Sequence, residues 1–118
     1  MGKNDREQLA AWIEEDRDTL VAFLRAFTRC RGPNPPGDTR STADFVTSEL
    51  KKRDLAYRII APHPEMPNVV ATFEGGHPGK HLVLNGHIDV FPVADDGLGW
   101  TKDPWGCAWV DARADSVT

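Results

Sequence analysis

The chain has 118 residues and a formal net charge of −4, which suits one domain with a modest core and excludes the basic stripe of a nucleic-acid binder. No stretch approaches a membrane span, and the opening Met1-Gly-Lys-Asn-Asp-Arg-Glu-Gln lacks the apolar run of a secretory signal. Cys30 and Cys107 belong to no Cys-x-x-Cys and are too sparse for a disulfide scaffold, so reduced thiols in a cytoplasmic protein, with small molecules or proteins as partners, are expected.

In chain order, apolar residues from about 5 to 29 recur three and four apart (Leu9, Trp12, Ile13, Leu20, Val21, Phe23, Leu24, Phe27), which predicts an amphipathic helix with its stripe in the core. Glu14-Glu-Asp-Arg-Asp18 is polar enough to break it, with Asp16 or Asp18 as the candidate cap. Gly32-Pro-Asn-Pro-Pro-Gly37 then ends the helix in a rigid turn. Asp38 and Thr39 are placed to cap a second helix to about residue 53, with Ala43, Val46 and Leu50 facing inward and Phe45 at the flank. Lys51-Lys-Arg53 suits the negative end of that helix, although a solvated helix end also accounts for it.

Three strands follow. Residues 57–60 and 68–73 are separated by a proline-rich loop, and 81–85 form the third, whose adjacent apolar residues predict burial on both faces. The order of helices followed by strands implies an α/β fold, with two N-terminal helices packed on a mostly three-stranded sheet. Gly75-Gly-His-Pro-Gly-Lys80 superficially resembles a phosphate-binding loop, but Glu74 replaces the first glycine and His81 stands where Ser or Thr is needed. A hairpin turn is the better reading. His63 and His77 sit in proline- or glycine-rich loops and are expected at the surface.

The third strand runs into His87-Ile-Asp89. If strand geometry persists, these two side chains share a face, close enough for carboxylate and imidazole to meet. That is how a metal-ligating histidine is held, one ring nitrogen on the metal and the other on an acid that sets its tautomer. An isolated His-x-Asp is more often a surface histidine beside an acid, so its surroundings decide. Beyond Pro92, the acidic, glycine-rich loop of residues 93–106 carries Trp100 and Trp105, which either rim a substrate or, the favoured reading, pack the loop down. Asp95 and Asp96 lack the alternating ligands of a calcium loop and are expected to be solvated.

Asn34-Pro-Pro-Gly37, Pro67-Asn-Val-Val-Ala-Thr72, Gly86-His-Ile-Asp-Val-Phe-Pro92 and Trp100-Thr-Lys-Asp-Pro-Trp105 occur in this order. Together they resemble the amino-terminal part of the zinc-dependent aminoacylase, acetylornithine deacetylase, succinyl-diaminopimelate desuccinylase and glutamate carboxypeptidase family. The resemblance runs to about Gly106. It implies that residues 1–106 are the N-terminal part of a metallohydrolase catalytic domain, an incomplete one whose strands are a portion of a larger mixed sheet, in a family that hydrolyses amide or peptide bonds of N-acyl amino acids or small peptides. For complete members it also implies two Zn2+ per site, with Co2+ or Mn2+ as substitutes, and an inserted lid domain that mediates homodimerisation and is expected to be absent from these residues. By position, His87 matches the first metal ligand and Asp89 the acid of the catalytic site that orients it.

The pattern is lost after Gly106. The family's Gly-Arg-Gly segment and metal-bridging aspartate have no counterpart in Cys107-Ala-Trp-Val-Asp-Ala-Arg-Ala-Asp-Ser-Val-Thr118, and neither Asp111 nor Asp115 has the right neighbours. Residues 107–118 are therefore expected to be a divergent tail, the product of a frameshift or truncation, and the isolated chain inactive, since one histidine does not make a catalytic zinc site. A noncatalytic binding or dimerising module, using an exposed sheet edge and the tryptophan loop, is the alternative.

Overall fold

The computed structural model describes residues 2–94 and 99–108. Three helices precede a two-stranded sheet: α1 (Lys3–Glu15), α2 (Arg17–Thr28), α3 (Arg40–Lys52), β1 (Tyr57–Ile60) and β2 (Asn68–Ala71). The class is α/β, as the patterning predicts.

The first helical stretch breaks within the charged run. Asp16 closes α1 and opens α2 with φ −86° and ψ 0°. The interruption is confined to that residue: its N–H donates to the Trp12 carbonyl at 3.0 Å, and its carbonyl accepts from Leu20 N–H at 2.9 Å. The Asp16 carboxylate makes no capping hydrogen bond, so the expected side-chain cap is absent.

The aromatic packing lies between α2 and α3. Phe23, Phe27 and Phe45 meet there with ring centroids 5.4 to 5.9 Å apart, a geometry in which aromatic rings attract beyond simple burial. On its other side α3 lies against β2. Its most enclosed residues are Thr42, Ala43 and Thr47, whereas the predicted inward residues Val46 and Leu50 are half-buried. Threonines are tolerated inside because their hydroxyls are satisfied: Thr42 Oγ1 donates to the Cys30 carbonyl at 3.2 Å and Thr47 Oγ1 to that of Asp44 at 3.0 Å. The predicted core stripe on the first helical stretch is only partly covered: Val21, Phe23 and Phe27 are half-buried, the two phenylalanines against Phe45 of α3. Leu9, Trp12, Ile13, Leu20 and Leu24 all stand exposed, because among the described residues no layer crosses that side of α1 and α2.

The end of α3 is locally determined. Asp54 adopts φ 54°, Leu55 N–H reaches back to the Leu50 carbonyl at 3.0 Å, and Asp54 N–H to that of Lys51 at 3.0 Å. These paired bonds close the helix around one left-handed residue. The chain then enters β1, which pairs antiparallel with β2 from Tyr57 opposite Ala71 to Ile60 opposite Asn68.

Among the described residues the sheet has two strands, not three. Residues 81–85 join no ladder, and Leu82 and Leu84 are 77% and 88% exposed, so burial on both faces does not occur. The glycine-rich segment before them is correspondingly not a hairpin turn. An apolar, extended-favouring segment becomes a strand only where an edge lies alongside it, and neither β1 nor β2 does. No helix among the described residues is long and apolar enough to cross a membrane.

Candidate functional site

The segment that leaves 81–85 is tied down at Val90. Its N–H donates to the Gly32 carbonyl at 3.0 Å, and its carbonyl accepts from Asn34 N–H at 2.8 Å, a parallel bridge between Pro33 and Val90. The proline turn after α2 and the His-x-Asp segment are thereby brought together. Gly32 is buried at this junction, where a Cβ would stand 2.9 Å from Thr42 Oγ1 and 3.2 Å from the Ile88 carbonyl oxygen.

His87 and Asp89 meet as the alternation of side chains predicts. His87 Nδ1 lies 3.0 Å from Asp89 Oδ1 and 2.7 Å from the Asp89 carbonyl oxygen. A backbone carbonyl only accepts, so Nδ1 carries the proton and, in the neutral ring, Nε2 keeps its lone pair. The His87 side chain is 83% exposed, which leaves Nε2 accessible. Asp89 is half-buried, and its second oxygen, Oδ2, accepts from Asn34 Nδ2 at 2.9 Å. The Asn34 hydrogen bond, foremost, holds the Asp89 carboxyl below the usual carboxylate range. Partial desolvation opposes it, and the Asp89 backbone N–H and the His87 ring add to it.

Asn34 is the site contact that reading the sequence did not assign. It stands in the Asn34-Pro-Pro-Gly37 motif, but its partner lies 55 positions away, beyond the reach of any local signal. Gly37 closes the turn with its N–H on the Pro33 carbonyl at 2.9 Å and φ 90°, a conformation that disfavours any other residue.

The far loop is packed down from the side. Asp103 Oδ1 accepts from Trp105 N–H at 3.0 Å, and its carbonyl from Gly106 N–H at 3.0 Å. Arg25 Nε and Arg29 Nη2 donate to the carbonyls of Cys107 and Gly106 at 3.1 and 3.2 Å, and the Arg31 guanidinium lies 5.5 Å from the centre of the Trp105 ring. Trp105 thus anchors the loop, as favoured. Trp100 stays exposed. Cys30 and Cys107 are both free thiols. His63 and His77 are at the surface. Asp95, Asp96, Asp111 and Asp115 lie outside the described residues.

A cavity of about 510 Å³ opens nearby, lined by Arg31, Pro33, Asp38, Arg40, Ser41 and Asp44. It does not include His87 or Asp89. Its arginines are engaged, Arg40 by the Asp38 carboxylate and Arg31 by Trp105, so the braced histidine is the stronger chemical feature. The described residues do not by themselves fit a metal. No group of three or more His, Cys, Asp or Glu among them is arranged to hold one, and the Asp89 carboxylate is already engaged at both oxygens.

The fold and the site together define an α/β chain presenting one acid-oriented imidazole, and comparison shows that this chain has a hydrolase for a homologue. It is 31% identical over 104 residues to the N-formyl-4-amino-5-aminomethyl-2-methylpyrimidine deformylase of Halalkalibacterium halodurans, a match covering 84% of this chain and 24% of that protein. The chain thus spans about a quarter of the length of the curated relative it matches. No family model and no solved structure matches.

Proposed function

We propose that this chain carries part of the active site of an amide hydrolase, with His87 as a functional imidazole and Asp89 as the acid that orients it. The observation that supports this is the pair itself: an exposed imidazole whose Nδ1 proton is held by two acceptors of Asp89, in a chain homologous to a deformylase. The substrate class is an N-acyl or N-formyl amine, or a small peptide. The resemblance to the zinc-dependent aminoacylase family extends the reading to metal-assisted hydrolysis, for which His87 is one donor and further donors have to come from outside the described residues. On its own the chain is proposed to be inactive, because one imidazole neither activates water nor stabilises the developing oxyanion as a complete metal site does.

The test is an exchange of segments. Replacing the matched segment of the Halalkalibacterium halodurans deformylase with that of this chain is expected to retain deformylation, followed as formate release. In that chimera Asp89→Ala is expected to lose about 10- to 100-fold in activity, the usual penalty for removing the partner of a functional histidine, and His87→Ala at least as much. A folded chimera that is inactive, or one indifferent to both substitutions, sinks the proposal. The isolated chain, assayed with N-formyl and N-acetyl amines in the presence of Zn2+, Co2+ or Mn2+, is expected to show no turnover.

A second reading, a noncatalytic binding or dimerising module, is favoured by one observation: the apolar side chains of residues 82–84 and Phe91, which flank His87 and Asp89 along the chain, lie open. Metal-independent association that survives His87→Ala supports that reading.

A further inference from the structure

The turn of residues 32–37 bends the chain, and its side chain at position 34 also reaches the site. A carboxylate has no proton to donate, so Asn34 faces Asp89 with its NH2 and not its carbonyl. At 2.9 Å that NH2 takes Oδ2, while His87 Nδ1–H takes Oδ1 at 3.0 Å. Aspartate has a broad, weakly restrained χ2 torsion, so a carboxylate gripped at one oxygen still swings about that bond. One gripped at both oxygens does not. Asn34 is itself held to the chain carrying Asp89, since Asn34 N–H and Val90 N–H make the two bonds of the Pro33–Val90 bridge. Gly37 leaves space for the amide, because a Cβ there would lie 3.2 Å from Asn34 Oδ1.

The geometry points to Asn34 as a positioning residue, which locks the Asp89 carboxylate so that His87 is kept in the Nδ1–H tautomer with Nε2 free to act. This inference rests on the reading of His87 and Asp89 as the functional pair. Asn34 touches no reacting group and acts only through Asp89.

The tautomer of His87 is read directly by long-range 1H–15N correlation of its ring in uniformly labelled protein at about pH 8.5, where neutral imidazoles dominate. In the unaltered chain Nδ1 is expected as a protonated, pyrrole-type nitrogen and Nε2 as an unprotonated, pyridine-type one. Asn34→Ala keeps the backbone N–H that bonds to Val90, so the bridge survives and the side chain alone is tested. The ratio of Nδ1–H to Nε2–H forms is expected to fall about three- to tenfold, the weight of one hydrogen bond, with the amide resonances of Gly32 and Val90 unmoved. Asp89→Asn is expected to disturb the ratio further, because its amide offers both a donor and an acceptor to the ring. An unchanged ratio in Asn34→Ala, with Asp89→Asn shifting it, overturns the positioning role while leaving the pair intact. If neither variant shifts the ratio, the Asp89 backbone carbonyl alone holds the Nδ1 proton, and both this inference and the reading of the Asp89 carboxylate as the orienting acid fail.

Discussion

Gly37 and Glu49 show how single residues act in this molecule through quite different physics. Gly37 stands at φ 90°, and a Cβ there would come within 2.6 Å of Met66 Cε and 3.2 Å of Asn34 Oδ1. The methionine tip is flexible and can yield, but the backbone conformation cannot. Gly37→Ala is expected to destabilise by about 1 to 2 kcal/mol, read as a lower urea midpoint at unchanged slope. Glu49 receives Arg53 Nη1 at 2.7 Å and the Lys52 ammonium at 2.5 Å. The hydrogen bond from Arg53, then that from Lys52, holds its carboxyl below the ordinary range against a smaller desolvation effect. A depressed folded value means that the stabilisation is complete above the ordinary carboxylate range and is lost as pH falls through the depressed value. The urea midpoint of Glu49→Gln is therefore expected to change less across that acid interval than that of the unaltered chain. An identical acid slope would show that the trio contributes nothing.

At the scale of elements, reading the sequence succeeded where the cause is local. The charged run at residues 14–18 interrupts a helix, and β-branched runs at 57–60 and 68–71 become strands, because charge density and side-chain shape act within a few residues. It failed where a partner decides. Residues 81–85 have the composition of a strand and no edge to pair with among the described residues, and the stripe on α1 has the period of a core face and no layer over it. Threonines at 42 and 47 read as polar and are buried, since their hydroxyls bond to backbone carbonyls near them in the fold. The end of α3 carries a prediction of its own. Asp54 holds a left-handed conformation that favours glycine, so Asp54→Gly is expected to stabilise the chain by about 0.5 to 1 kcal/mol in thermal or urea unfolding. A loss of stability would mean that the carboxylate makes a contribution exceeding the backbone gain.

The described part of the molecule is open. Its radius of gyration is 18.1 Å, against about 13 Å for a compact chain of this length. Large apolar side chains stand exposed on it, among them Phe91 at 90% and Leu82, Val83 and Leu84. Exposed apolar surface of this kind drives association. The purified chain is expected to self-associate with rising concentration in sedimentation velocity, and Leu82→Lys with Leu84→Lys to reduce it at least severalfold. A monodisperse monomer over the accessible range would contradict this.

The sequence by itself determined the helices, the first two strands, and the pairing of His87 with Asp89, because each follows from spacing along a few residues of backbone. It also pointed to hydrolysis through a motif series whose order is written in the chain. Only the tertiary structure decided that Asn34 completes the brace on Asp89, that Trp105 is clamped by Arg25, Arg29 and Arg31 through its loop and ring, and that the third apolar segment lies open. Those outcomes depend on which distant segments meet. The bridge between Pro33 and Val90 joins two stretches whose sequences carry no mark of each other, and hydrogen bonds at 2.8 and 3.0 Å there place the amide against the carboxylate.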